Sequence, residues 1–436
     1  MHKRNDEFQS AKEHLSSTPK FNRTIYHVAA AQSLVIQRIT SVASERVPLE
    51  QAYGRYLAAP VNADVPVPHF RRSVMDGYAV RAIDTTGASA SQPIQLKMID
   101  EVPCGSVSPH VLQAGEAIRI MTGAQVPAGA DAVVKYEWTS AEEQHGEVWI
   151  EISGSVKSGE NVLPIGMEIA AGERLVASGE RIGSGQMGLL AMFGCAQVAV
   201  HKRPQVAVLS TGHELLGVDE PLAPGKIRNS NAYLLAAQIE EAGAVPHLLH
   251  HVPDHFDTAR DVVEQALASY DAVVTTGGVS VGDYDVLYDI TNHWDGELLF
   301  NKLAMRPGSP TTVGLLNNKP LFALSGNPSA CFVGFELFVR PALLMMQGVG
   351  AEQALPVRYR AKLAQPFAKV DTFERLVRGT MWTDEQGQLL VRPVGLDVSS
   401  VTITIRDANC LIVIPAAVHH LDAEAVVDII PLRLRP

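Results

Sequence analysis

The feature that most constrains this chain is an alternation of short apolar runs and helical patterns between Pro204 and Met346. Val206-Ala207-Val208-Leu209, Ala272-Val273-Val274-Thr275-Thr276 and Pro320-Leu321-Phe322-Ala323-Leu324 read as buried strands. Each runs into a loop of small residues: Ser210-Thr211-Gly212-His213-Glu214, then Gly277-Gly278-Val279-Ser280-Val281-Gly282-Asp283-Tyr284-Asp285, then Ser325-Gly326-Asn327-Pro328-Ser329. Helices are predicted from Asn231, as cap, through Glu241, from Thr258 to Ser269 and from Ala330 to Met346, with a further strand from Val245 to Leu249. Strands alternating with helices imply a doubly wound α/β fold on a parallel sheet. The glycine loops then open on one edge, beyond the carboxyl ends of the strands, where such sheets bind ligands.

The loop after Thr276 combines opposing chemistries. Gly277 and Gly278 let backbone approach a bulky anion, and the following helix N-terminus favours negative charge. Asp283 and Asp285 repel an anion. Together they suit a cation held between carboxylates and an oxyanionic ligand; a plain glycine-rich turn with Asp285 as helix cap accounts for the same residues. Lys302 and Arg306, beside Pro307-Gly308-Ser309-Pro310, read either as an oxyanion clamp or as an ordinary basic turn. His247, His250, His251 and His255 invite a zinc reading, which Pro253 opposes by breaking helical spacing; Asp254, in the same loop, follows a strand.

Before Pro204 the pattern is mixed. Ile25 to about Ser44 reads as a helix and Gln51 to Ala59 as a second, shorter one. Val65-Pro66-Val67-Pro68 is extended and leads through Arg71 and Arg72 to Met75-Asp76-Gly77-Tyr78. Asp76-Gly77 signals a tight turn, and the cations beside it suit a phosphate contact. Short strands follow to about Glu168. Gly183-Ser184-Gly185-Gln186-Met187-Gly188 matches a dinucleotide fingerprint but lacks the preceding strand and the distal acid, so a short helix packed through small residues is expected. After Gly350, Val357–Leu363, Leu389–Pro393, Val401–Ile405 and Cys410–Pro415 are strand-like.

A net charge of −11 disfavours nucleic acid or an anionic membrane as main partner. Cys104, Cys195, Cys331 and Cys410 are widely spaced, with no Cys-x-x-Cys, and read as small buried apolar residues in a reducing compartment. The polar start and the expectation that no apolar run is long enough to span a bilayer lead to the expectation of a cytoplasmic location.

Ser73-Val74-Met75-Asp76-Gly77-Tyr78-Ala79, Ile120-Met121-Thr122-Gly123-Ala124, Ser210-Thr211-Gly212-His213-Glu214-Leu215, Gly277-Gly278-Val279-Ser280-Val281-Gly282-Asp283-Tyr284, Lys302-Leu303-Ala304 and Gly326-Asn327-Pro328 resemble, in order, the motifs of the molybdopterin molybdenumtransferase family, to which the gephyrin C-terminal domain also belongs. The resemblance implies a reaction in which adenylylated molybdopterin and molybdate give molybdenum cofactor and AMP, assisted by Mg2+. It implies a homodimer with the active site at the subunit boundary, where the Met-Asp-Gly-Tyr loop of one subunit faces the α/β domain of the other. Handover partners in cofactor synthesis are implied as well.

Carried onto this sequence, the resemblance makes Asp76, Thr122, Glu214, Asp254, Asp283, Lys302 and Arg306 the catalytic candidates. Glu214, Asp254 and Asp283 would hold the metal. Gly277, Gly278, Ser280, Gly282, Ser309, Gly326, Asn327 and Pro328 would bind the substrate. Ser309 stands where the family commonly has a second lysine, and Ser325 where it often has a proline, which should loosen that turn.

The domain expectation is a mobile extension over 1–23, an elongated N-terminal linker region over 24–62 and 171–203, and an inserted β domain over 63–170. A molybdopterin-binding α/β domain over 204–352 and a β-barrel-like domain over 353–436 complete it. The sister adenylyltransferase and a non-catalytic scaffold of the same fold are the alternative functions.

Overall fold

The structure, a computed structural model, describes residues 24–249, 256–278, 287, 290, 295–369, 371–418 and 420–432. The extension over 1–23 lies outside them. The chain forms two compact units, one from 24–59, Ser178–Met187 and 196–432, the other from Pro60–Ala177 and Gly188–Cys195.

In the first unit a six-stranded sheet runs in the order Val245–Leu248, Gln205–Ser210, Ala272–Thr276, Lys319–Leu324, Thr312–Leu316 and Glu297–Phe300. The first three pairings are parallel and the last two antiparallel, so Thr312–Leu316 runs against the others and the expected parallel sheet is a mixed one. Alternating residues explain why it is covered twice. Val206, Val208, Val274, Phe322 and Leu324 pack on one face with helix Ser230–Glu241 and the long helical segment from Pro328 to Met346. Ala207, Leu209, Val273, Leu321 and Ala323 pack on the other with helix Phe256–Ser269. Each buried aliphatic side chain of this kind contributes about 1.5–3 kcal/mol.

Pro328–Met346 is long and apolar enough to cross a membrane by composition, against the expectation of no such run. Its apolar window is 83% buried inside the fold, as in the core helix of a globular domain. A π-helical turn, Phe335–Val339, interrupts it.

The C-terminal strands close on themselves. Glu374–Thr383 pairs with Leu389–Pro393, then come Tyr359–Leu363, Val426–Pro431 and Cys410–Ile414, which pairs back with Glu374–Thr383. The result is a five-stranded barrel with no free edge among those strands. A short strand, Met305–Arg306, joins it in parallel beside Glu374 and Arg375. Val401–Ile405, expected as a strand, is instead irregular at Val401 and Thr402 and then enters helix Ile403–Asp407.

Other local expectations also change: Cys331 and Cys410 are buried as expected, whereas Cys104 is exposed and Cys195 half-buried. The first helix is Val28–Ile36, and the expected second one, Gln51 to Ala59, does not form; a 3-10 turn, Leu49–Gln51, ends at its first residue. Helix Ser184–Met192 forms, but a Cβ at Gly185 or Gly188 would meet nothing within 4 Å, so small residues are not needed there for close packing.

The second unit holds a six-stranded sheet in the order Ala132–Lys135, Gly77–Val80, Glu116–Ile120, Ile94–Val102, Glu147–Ile152 and Thr139–Gln144. Asp76-Gly77 is not a hairpin turn. Residues 74–76 bend the chain between strand Arg72–Ser73, which pairs with Val162–Leu163, and strand Gly77–Val80, which pairs elsewhere. Gly77 is required because a Cβ there would lie 1.9 Å from the Val134 carbonyl oxygen. Gly77→Ala must therefore force the strands Gly77–Val80 and Ala132–Lys135 apart. Urea denaturation should show a loss of about 3 kcal/mol, the upper range for a single core lesion; an unchanged midpoint would show that the sheet relaxes freely at this point.

Candidate active site

The three strand–loop junctions come together as the topology requires. Ser210 is paired with Thr276, and Thr276 with Leu324, so Thr211, Gly277 and Ser325 leave the sheet side by side. They surround a cleft of about 530 Å³. Gly277 and Gly278 take positive φ, and a Cβ on Gly277 would sit 2.6 Å from the Thr211 carbonyl oxygen. Only glycine fits such an approach. Gly277 N–H donates to the Leu324 carbonyl at 3.1 Å, and Thr211 N–H to the Thr276 carbonyl at 3.0 Å.

Asn231 binds these loops to one another. Its Nδ2 donates to Thr276 Oγ1 at 2.8 Å and to the Gly326 carbonyl at 2.8 Å, and Thr276 Oγ1 donates on to the Ser325 carbonyl at 3.3 Å. It is 8% exposed, and its Oδ1 is buried with no partner found. The sequence pattern assigns Asn231 to the helix cap; that role belongs to Asn229, whose side chain accepts from Ala232 N–H at 3.2 Å. Ser325 Oγ accepts from Asn327 N–H at 3.3 Å, a local closure that offsets the expected loosening of that turn.

Of the expected substrate and metal residues, Glu214, Gly277, Gly278, Gly326, Asn327 and Pro328 line this cleft. Asp254, Ser280, Gly282 and Asp283 lie outside the described residues, as do His250, His251, His255 and Asp285. Among the described residues no group of three or more His, Cys, Asp or Glu side chains is gathered for a metal.

A second cleft, of about 490 Å³, shares Ser325 and Asn327 with the first. Arg306, Lys369 and Arg375 face it together with Asp371 and Asp397. Arg375 Nη1 lies 3.3 Å from Asp371 Oδ2. Its Nε lies 3.1 Å from Asp397 Oδ2 at an angle that makes no hydrogen bond. Lys369 Nζ is 3.2 Å from Asp397 Oδ2, and Arg306 Nε is 3.9 Å from Asp371 Oδ1. Three cations against two carboxylates leave an excess positive charge, suited to a small oxyanion. The barrel residues Lys369, Asp371, Arg375 and Asp397 carry no motif, and sequence reasoning misses them. The only signal is indirect: alternating charges in a strand-rich segment.

Two expected residues do not line either cleft. Ser309 is 6% exposed, and its Oγ donates to the Leu303 carbonyl at 2.7 Å, so its hydroxyl closes a turn and does not line either cleft. Lys302 is half-buried and lies outside the linings of both clefts.

The second unit carries its own cleft, of about 460 Å³, with Asp76 and Thr122 on its wall. Asp76 Oδ1 accepts from both the N–H and the Oγ1 of Thr122, each at 2.7 Å. These two bonds, and the charge of Arg119 to a smaller extent, hold the Asp76 carboxyl below the usual carboxylate range. Asp76 is therefore an ionised, oriented acceptor at neutral pH.

Family models match three consecutive regions of the chain: the MoeA N-terminal region, domains I and II, over 26–194; a probable molybdopterin binding domain over 207–345; and the MoeA C-terminal region, domain IV, over 360–432. The molybdopterin molybdenumtransferase of Bacillus subtilis (strain 168) is 44% identical over 390 residues, covering 89% of this chain and 90% of that protein. The enzyme of the same name from Staphylococcus epidermidis (strain ATCC 35984) is 40% identical over 408 residues, covering 94% and 96%. Among solved structures, the molybdopterin biosynthesis moea protein from Pyrococcus horikosii superposes with a TM-score of 0.79 at 32% identity, over 93% of this chain and 99% of that one. The order of the three matched regions, the full-length relatives and the shared fold agree: the chain belongs to the MoeA family of molybdopterin molybdenumtransferases.

Proposed function

We propose that this chain converts adenylylated molybdopterin and molybdate into molybdenum cofactor, releasing AMP. The observation that carries the reading is the adjacency of two clefts across Ser325 and Asn327. One is a glycine-lined pocket at the carboxyl edge of the sheet; the other is a cationic one. Backbone close to Gly277, Gly278 and Gly326 suits the phosphate portion of the substrate. Arg306, Lys369 and Arg375 suit molybdate, a small oxyanion that would compete for the ion pairs now made with Asp371 and Asp397.

The family implies Mg2+. Glu214 offers a hard carboxylate at the rim of the glycine-lined cleft, and in the sequence Asp254 and Asp283 follow the strands Val245–Leu248 and Ala272–Thr276; these three would hold the ion. Bound there, the ion would neutralise charge on phosphate oxygens. Asp76, fixed by Thr122, would complete the site from the second subunit of a homodimer, and the reaction would run in the cytoplasm. The regions flanking the α/β domain support the transferase over the adenylyltransferase, which shares only that domain, and the retained carboxylates Asp76, Glu214, Asp254 and Asp283 support it over a scaffold.

The deciding experiment supplies purified protein with adenylylated molybdopterin and Mg2+, with and without molybdate. Molybdate-dependent AMP release with metal in the pterin product is expected; substrate binding without release would favour a scaffold, and formation of adenylylated pterin from ATP the adenylyltransferase. Asp76→Asn should lower turnover at least tenfold while circular dichroism stays unchanged. Asn231→Ala should raise KM for the adenylylated substrate more than it lowers kcat, because it frees the loops that cradle phosphate; unaltered kinetics would remove the loops' tie from the account.

The Asp76 titration has a defined sign. Its folded-state pKa is depressed, so the stabilisation from Thr122 is fully present above the ordinary carboxylate pKa of about 3.9 and is lost as pH falls through the lower folded value. Thr122→Val removes the hydroxyl donor and should move the Asp76 carboxyl titration, followed by carbon NMR, upward toward the ordinary value. No movement would mean that the backbone N–H alone sets it.

A further inference from the structure

The cleft of the second unit contains more than the Asp76–Thr122 pair. Tyr136 stands on its wall, 54% exposed, although it is a large aromatic residue next to a strand. Its ring is not loose. It stacks on Tyr78, which is 3% exposed, with centroids 6.4 Å apart and planes 15° from parallel. The guanidinium carbon of Arg119 lies 5.9 Å from the Tyr136 centroid, and Arg119 lines the same cleft. The backbone is fixed as well, because Tyr136 N–H donates to the Asp76 carbonyl at 2.9 Å and Arg119 is paired with Tyr78 across the sheet. A rigid, exposed aromatic face beside a planar cation is a stacking surface for another flat ring.

The edge of that surface carries a directional acceptor. Both bonds from Thr122 fall on Asp76 Oδ1, and among the described residues no hydrogen bond to Oδ2 is found. A carboxylate accepts and does not donate. It therefore matches a ring edge that presents adjacent N–H donors. The 2-amino-4-oxopyrimidine edge of a pterin has this pattern, with an exocyclic amine beside a ring N–H. Adenine offers one amine beside a ring acceptor, which a carboxylate repels.

We propose that the cleft bounded by Asp76, Arg119, Thr122 and Tyr136 is the pterin-ring subsite, with Tyr136 and Arg119 as the stacking platform and Asp76 reading the aminopyrimidinone edge. This rests on the reading of the chain as a molybdopterin-processing enzyme and assigns the ring of its substrate to particular side chains. Tyr136 and Arg119 are binding residues in this assignment, with no role in bond cleavage.

The test uses the full-length protein and two separate probes, 6-hydroxymethylpterin and AMP, with binding of the first followed by its fluorescence and of the second by calorimetry. Tyr136→Ala should weaken pterin binding at least tenfold and leave AMP binding within twofold, and Tyr136→Phe should bind pterin like the parent. Asp76→Asn should erase the preference for the pterin over a 2,4-dioxopteridine, which lacks the exocyclic amine. Thermal melts of each variant separate ring contact from misfolding, since the Phe variant keeps the stack on Tyr78. Loss of AMP binding in Tyr136→Ala, with pterin binding kept, would make this the adenine subsite and overturn the proposal. Absence of pterin binding in the parent protein, or its indifference to Tyr136→Ala, would also overturn it. Molybdate-dependent AMP release by the parent protein is read independently, so failure of the subsite is distinguishable from failure of the activity.

Discussion

One side-chain amide connects the walls of the glycine-lined cleft. Asn231 reaches from the first turn of helix Ser230–Glu241 to Thr276 on one strand end and to Gly326 on the next loop. Glycine at 277 allows the neighbouring backbones to close to the spacing at which such a tie is possible, and a Cβ on Gly326 would already touch the Gly277 Cα at 3.4 Å. The shape of the cleft thus follows from backbone approach first and from side chains second. A buried amide that satisfies two acceptors stiffens the arrangement.

The charged cleft obeys a different rule. Its cations are not free: Arg375 and Lys369 are balanced by Asp371 and Asp397, and Arg306 by Asp371 at longer range. The carboxylates keep the arginines and the lysine positioned and limit the potential that a loosely bound anion would feel. An incoming oxyanion must exceed those pairs in geometry as well as charge, which favours a compact, multiply charged tetrahedral species over a single carboxylate.

Much of this is legible in the sequence, and the reasons for the remainder are physical. Unbroken apolar runs at 206–209, 272–276 and 320–324 mark the strands, because both faces of the sheet are buried and neither face tolerates charge. The glycine loops are legible because positive φ leaves a residue-type signature. The exchange of Asn229 and Asn231 is not, because two asparagines two positions apart both suit a cap, and only the distance to Thr276 decides between them. Of the antiparallel pair Thr312–Leu316 and Lys319–Leu324, only the second strand stands out from its residues. The Asn317-Asn318 turn that joins them, at positive φ in both residues, is a weaker signal than a glycine would be. Ser309 is drawn to the ligand by its match to a lysine position; its short hydroxyl instead finds the Leu303 carbonyl within its own turn. The platform of Tyr136 on Tyr78 has no linear signature, being made by strands whose register brings distant residues together.

The small strand Met305–Arg306 has a consequence for how this protein is built from modules. By pairing in parallel with Glu374 and Arg375, it places Arg306 in the hydrogen-bond register of the barrel although its chain neighbours belong to the α/β sheet. The charged cleft is therefore a property of the junction and of neither module. An α/β module copied elsewhere on its own would keep the glycine-lined pocket and the phosphate chemistry it favours, yet would have nowhere to set down a second anion. Fusing a closed barrel to such a sheet, with Met305–Arg306 paired across the seam, is how this chain sets Arg306 beside Lys369 and Arg375.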